Sequence, residues 1–305
     1  MDAYVGVTDL DWYRTLAAQP GIDEVNFWKP GGQQGFAAIP VGGLFLFKLH
    51  APLNAVVGGG FFAHFTRLPI SMAWEAFGIK NGASSLHELR ARVERFRRIG
   101  SSQDDYSIGC ILLEQPFFFR ERDWIPAPLD WKPNIVQGRR YDVSAGVGRE
   151  LFGAMQLRLR AQSVLQASEP LSPRYGAPVE VLPRLGQGSF RVVVTDAYER
   201  RCAVTGERTL PALDAAHIQP YSSAGENRVP NGLLLRSDLH RLFDRGYLTV
   251  TPDLCVRVSR RIREEFENGR HYYAMDGDRI RVPQRLDFQP DPRALEWHSE
   301  EVFLK

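Results

Sequence analysis

Within residues 214–246, DAAHIQPYSSAGENRVPNGLLLRSDLHRLFDRG, four side chains are of types that suit metal-assisted cleavage of a phosphodiester: His217, Asn231, His240 and Asp244. The segment SDLHRLFDRG reads as a short helix, with Ser237 as its N-cap and Gly246 where a C-terminal stop belongs. His240 and Asp244 are four residues apart, so they project from one helix face, one turn apart. Neutral imidazole and carboxylate are ordinary ligands for a divalent ion, so that face could hold one. His217 would then be free to act as general base on water. Singly, each residue has a plainer reading, as a surface ion pair or a structural histidine. It is the set, in this order, that points to hydrolysis.

The elements that must position these groups are short. LDAAHI lies between Pro211 and Pro220 and reads as a strand entering a turn. Side chains alternate along a strand, so Asp214 and Ala216 share one face and His217 points to the other. On the helix, Leu239, Leu242 and Phe243 cover the side opposite His240 and pack it down. Arg236 and Arg241 flank the helix ligands; phosphate contacts and plain solvation are equally open for them. The arginines 257, 260, 261 and 263 form a second basic run, with Glu264, Glu265 and Glu267 beside it as balancing charges.

This arrangement resembles the HNH nuclease superfamily and its ββα-metal site. The resemblance rests on the order of His217, Asn231 and His240, with nine positions from Asn to His, and extends through GQGSFR (186–191), RCAVTG (201–206), AAHIQPY (215–221) and NGLLLRSDLHRLFDRG (231–246). It covers roughly residues 173–305 and is similar to a branch of restriction-endonuclease type. It implies that His217 is the base, that Asn231 pins the loop, and that His240 binds metal with Asp244 one turn on. It also implies a 5′-phosphate product. Many such sites place a metal ligand directly before the base; here that residue is Ala216, and Asp214 is the candidate to replace it. Magnesium or manganese fits best, while the ligand set also admits zinc, nickel or cobalt. A structural zinc is not expected, because Cys202 is followed by Thr205 where a paired cysteine would stand, and only Cys110 and Cys255 remain.

The chain has 305 residues, which suggests two domains. Hydrophobic content of 44% and charged content of 24% are those of an ordinary globular protein. A net charge of +2 gives no whole-protein argument for nucleic-acid binding, so any basic surface must be local. No apolar run approaches the roughly 20 residues that span a bilayer, so no membrane partner is expected. The acidic start MDAYVGVTDLDW carries no secretory signal, and three scattered cysteines suit a reducing cytoplasm.

An α+β organisation follows. Residues 1–140 read as mainly β, with strands in GLFLFKL (43–49), AVVGGGFFAHF (55–65) and IGCILLEQPFFF (108–119). A helix is expected over 84–98 from Leu86, Leu89, Val93 and Phe96 after a serine cap. Residues 141–172 hold a connecting helix (147–167) running into a linker, SEPLSPRYGAP. The glycines 58–60 lack the Lys-Ser/Thr of a phosphate loop and serve close strand approach.

The layout of strand, glycine-rich strand, helix and strand is similar to PUA-like domains, the group of EVE, ASCH and SRA modules. It implies a small β-barrel with an inserted helix, able to take a flipped modified base into an aromatic pocket. The candidates are Phe27, Trp28, Phe61, Phe62 and Trp74 for stacking, with Asn26 and His64 as polar readers; for any one ring, a place in the core is the plainer reading. Joined to residues 173–305, this gives a homodimeric endonuclease that reads modified cytosine in double-stranded DNA and cuts nearby. Two alternatives stand: an HNH defence effector or toxin triggered by a small nucleotide or protein, and a catalytically silent nucleic-acid-binding module.

Overall fold

The computed structural model describes residues 2–31, 35–97, 105–166, 185–220 and 225–305. The chain divides into two compact units, Met1–Pro183 and Arg184–Lys305. The linker SEPLSPRYGAP and Tyr221 lie outside the described residues.

The first unit is built on strands β1 (Asp2–Thr8), β2 (Glu24–Lys29), β3 (Leu44–Leu49), β4 (Ala55–Pro69), β5 (Ser107–Phe118), β6 (Ile125–Pro126) and β7 (Gly138–Asp142). Their order is β2-β5-β4-β3-β1-β7, with β6 on β4; only the β1–β3 pair is parallel. The expected barrel does not close. The path ends on β2 and β7, strands of six and five residues that do not pair with each other. Instead the long β4 bends, through bulges at Gly59/Phe61 and Phe62/His64. The glycine run permits this: a Cβ on Gly58 would collide with the Phe117 carbonyl, and one on Gly59 with the Phe117 ring.

The unbroken apolar run LFLF in β3 is explained by cores on both of its faces. Phe45 and Phe47 join Trp12, Phe27, Phe62 and Leu113 on one side, while Leu44 and Leu46 join Val56, Tyr141, Leu151 and Met155 on the other. Helix α1 (Leu10–Ala17), capped by the Asp9 carboxylate on the Trp12 N–H at 2.7 Å, supplies Trp12, Tyr13 and Leu16. The expected inserted helix is in fact two, α2 (Ile70–Phe77) and α3 (Leu86–Phe96). Ser85 caps α3, and Leu89 and Val93 are buried, whereas Phe96, at its last turn, is 47% exposed. The connecting helix, α4 (Gly146–Gln166), contributes Leu151 and Met155 to the second core of this unit.

The second unit runs α5 (Gln187–Ala197), β8 (Leu213–His217), β9 (Gly232–Arg236), α6 (Ser237–Asp244), β10 (Leu248–Val250), β11 (Val256–Val258), α7 (Arg261–Phe266), α8 (Arg270–Tyr273) and α9 (Pro292–Trp297). β8 and β9 form an antiparallel pair, and β10 and β11 another. Phe190, Leu233, Leu234, Leu235, Leu239 and Phe243 are buried. No helix among the described residues is long and apolar enough to cross a membrane.

Candidate active site

The site is a strand pair feeding a helix. β8 pairs with β9 from Leu213↔Arg236 to His217↔Gly232, and β9 passes directly into α6. That continuity changes the expected cap. Arg236 holds the N-cap position, and Ser237 is already helical, its hydroxyl donating to the Ala212 carbonyl at 3.2 Å. The helix stops as expected, with Gly246 at φ +74° donating its N–H to the Phe243 carbonyl. Leu239 and Phe243 are fully buried, which turns His240 and Asp244 outward.

Asn231 ties the loop between the strands at both ends. Its Oδ1 accepts the Gln219 N–H at 2.9 Å, and its Nδ2 donates to the Gln219 carbonyl at 2.9 Å and to the Glu226 carbonyl at 3.0 Å. Its own carbonyl accepts the Ile218 N–H. A buried amide with both N–H donors and its oxygen engaged is a structural lock on the segment that follows His217.

His217 is held from two sides that sequence reasoning missed. Its Nε2 lies 2.8 Å from Asn227 Oδ1, and its ring stacks on Phe190 at 4.0 Å and 10°. Burial pushes the His217 pKa below the ordinary histidine value, and the nearby His240 lowers it further; the Asn227 hydrogen bond and the Asp244 charge act the other way. Phe190 lies in the GQGSFR text that carries the resemblance, yet nothing in that text says which side chain it meets. Asn227 has no signal in its spacing at all.

His240 stands between two carboxylates. Nε2 is 3.3 Å from Asp244 Oδ2, and Nδ1 is 3.6 Å from Asp214 Oδ2. The three residues come together, but they do not make one ligand set. An ion takes a single nitrogen of an imidazole, and the two carboxylates face different nitrogens. Among the described residues, no group of three or more His, Cys, Asp or Glu is arranged to hold a metal. Two ligands about 2.1 Å from an ion stand roughly 3 Å apart at right angles, which fits the His240–Asp244 edge. That edge is also the side that acts on His217. Asp214 instead faces the other nitrogen, just beyond hydrogen-bond distance.

The HNH endonuclease family matches the chain over residues 202–251, which contain Asp214, His217, Asn227, Asn231, His240 and Asp244 but not Phe190. The C-terminal unit carries an HNH endonuclease domain. The protein is therefore a nuclease, and enzymes with this domain generally use a divalent metal. No curated protein matches the chain in sequence. Among solved structures, it is similar to an ASCH protein from Zymomonas mobilis, at 9% identity and a TM-score of 0.34, over 50% of this chain and 94% of that one. It is also similar to the modification-dependent TagI restriction endonuclease, at 24% identity and a TM-score of 0.26, over 38% of this chain and 39% of that one.

Around the HNH centre, the two candidate phosphate arginines differ. Arg236 is committed to Asp238 by two hydrogen bonds of 2.6 and 2.8 Å, a bidentate pair that also meets His271 and, through Asp238, Tyr272. Arg241 is exposed on α6. In the other basic run, Arg257 pairs with Asp276 and Arg261 with Glu265. The Cys202 thiol is buried and accepts backbone N–H groups from Thr205 and Arg236, at 3.5 and 3.3 Å.

The seven candidates for a base pocket are not gathered into one place. Phe27 and Phe62 are core residues of one face, and Phe61 packs against the core of the other. The reason is alternation: neighbours on a strand point to opposite sides. Asn26 and His64 share a face through the ladder Asn26↔Leu112↔His64. Asn26 is fully buried and donates to Asn81 Oδ1 at 2.9 Å, while the Trp28 indole N–H donates to the Asn81 carbonyl at 3.0 Å. Trp28, His64 and Trp74 are half-buried.

Proposed function

We propose that the protein is a metal-dependent DNA endonuclease of restriction type that reads a modified cytosine with its N-terminal unit and cuts with its HNH domain. The observation that carries the cutting half is His217: a ring held neutral by burial, fixed by Asn227 and Phe190, beside the His240–Asp244 edge. In this reading His217 takes a proton from the water that attacks phosphorus. His240 and Asp244 would hold the divalent ion, magnesium or manganese first, which supplies stabilisation of the negative charge gathering on the phosphate oxygens. Asp214 orients His240, and Arg241 is the arginine left to meet a phosphate. Asn231 keeps the base loop closed.

The reading half is supported by the PUA-like layout of strands and helices and by the polar face that Asn26, Trp28 and His64 share. Trp28, His64 and Trp74 are the residues proposed to meet the base, with Asn26 setting Trp28 through Asn81. Cutting both strands of a duplex calls for two HNH sites, so the acting species is a homodimer.

The test is cleavage of matched DNAs, unmodified or carrying 5-methylcytosine, 5-hydroxymethylcytosine or its glucosylated form, by wild type and His217→Ala with magnesium or manganese. Cutting confined to a modified substrate and lost in the variant is expected. Equal cutting of all four would remove the reader assignment, and undiminished cutting by His217→Ala would remove the base. A second readout is Trp28→Ala, expected to lower the preference for modified DNA while leaving the residual rate on other DNA unchanged.

A further inference from the structure

We infer that Asn227, which is no member of the metal- or loop-binding set, decides which nitrogen of His217 is the base; this rests on the reading of His217 as general base. The argument starts with the loop. Asn231 fixes the Glu226 carbonyl, and the Leu185 N–H donates to the Asn227 carbonyl at 2.9 Å, so the backbone on both sides of the Asn227 side chain is anchored. From there, Asn227 Oδ1 reaches His217 Nε2 at 2.8 Å. An amide oxygen only accepts, so Nε2 must carry the hydrogen. In a neutral imidazole that leaves the lone pair on Nδ1, which becomes the atom that takes the proton.

The ring plane is set separately. Gly232 is the ladder partner of His217. A Cβ there would stand 2.6 Å from Val194 Cγ2 and 3.0 Å from Phe190 Cζ. The missing side chain is what lets the Phe190 ring lie against the strand pair and stack on the imidazole. One residue therefore selects the tautomer and another the plane, so Nδ1 has a fixed direction before substrate arrives. An amide suits this task better than a carboxylate. It accepts the hydrogen without a negative charge that would favour the imidazolium, the form that cannot act as a base. Asn227 is thus a positioning residue acting through His217.

The experiment is ¹⁵N-histidine NMR on the full-length protein, with the His217 signals assigned from the His217→Ala spectrum, beside single-turnover nicking rates. The expected wild-type spectrum has a protonated Nε2 and a bare Nδ1. In Asn227→Ala the tautomers mix, and the rate falls about 10- to 100-fold with DNA affinity unchanged, in line with the loss of an orienting partner. Asn227→Asp, measured above the ordinary histidine titration range, restores the acceptor, the Nε2–H tautomer and most of the rate. A wild-type spectrum with the hydrogen on Nδ1 overturns the inference, and it does so even where a variant fails to fold. So does an Asn227→Ala protein with an unchanged tautomer and rate. Undiminished nicking by His217→Ala is a different result: it removes the base itself, whatever the tautomer.

Discussion

At the scale of single residues, the two acids beside His240 are chemically alike but differ in which nitrogen they face. Asp244 shares the Nε2 edge and Asp214 lies on Nδ1. Removing a ligand and removing an orienting partner have different signatures. Asp244→Asn is expected to raise the metal concentration needed for half-maximal nicking, with the rate recovering at saturating metal. Asp214→Asn keeps an acceptor on Nδ1 and is expected to shift that concentration less. A metal titration of nicking rate separates the two, and equal shifts would put both acids in the ligand set. His217 carries a pH prediction. A base works unprotonated, and burial holds its pKa down. The rate should therefore rise with pH through a midpoint below the free-histidine value of about 6.5, and lie on its plateau at neutral pH. His217→Ala should lower that plateau by roughly 10²- to 10⁴-fold.

At the scale of elements, α6 is positioned by residues far along the chain. The His298 ring stacks on Phe243 at 3.6 Å and 12°. Its Nε2 donates to the Phe243 carbonyl at 3.1 Å, and Thr249 Oγ1 donates to its Nδ1 at 2.8 Å. The Leu304 N–H then closes on the Gly246 carbonyl, so the C-terminal segment grips the end of the helix that bears His240 and Asp244. Both nitrogens of His298 are satisfied in the neutral ring, and burial lowers its pKa to about 4. The sign follows from linkage. The unfolded chain takes up this proton from about pH 6.5 downward and the folded chain only near 4. The stabilisation is complete above pH 6.5 and is lost as pH falls through that window, by about 3 kcal/mol at its acid end. Chemical unfolding of the full-length protein at pH 7 and pH 5 checks this. His298→Gln should be less stable at pH 7 and lose less between the two.

At the scale of the whole molecule, the N-terminal unit carries a buried acid that acts in the opposite direction. Glu114 faces Glu24 across the β2–β5 ladder, and burial, with the Glu24 and Asp23 charges, raises its pKa to about 8. The unfolded chain gives up this proton near pH 4.5 and the folded chain only near 8. Stability from Glu114 is therefore present at low pH and is lost as pH rises through that range. Glu114→Gln is expected to raise the melting temperature of this unit at pH 8 and to leave it nearly unchanged at pH 4.5. An unaltered melt at pH 8 would show that the folded protein tolerates the ionised acid. The two groups thus pull stability in opposite directions with pH: His298 is penalised as pH falls below about 6.5, and Glu114 progressively as pH rises above about 4.5.

Much of the candidate site's arrangement was legible along the chain because its information is local. Strand, loop and helix are contiguous, so spacing alone puts His217, Asn231, His240 and Asp244 in order, and the i,i+4 rule puts the last two on one face. The β3, β4, β5, α3 and α4 segments were legible for the same reason: runs of apolar residues and helical periods report their own local geometry. What needed the tertiary structure was which side chains meet: Asn227 and Phe190 on His217, His298 on α6, and Asp214 on the far nitrogen of His240. The N-terminal unit was the least legible. Which way Phe61 and Phe62 point, and whether a sheet closes on itself, depend on bulges and on the pairing of strands far apart in sequence. Side-chain type and spacing determined the chemistry available to this protein; long-range packing decided the orientation of each group, because orientation is set by whichever remote residue fills the space beside it.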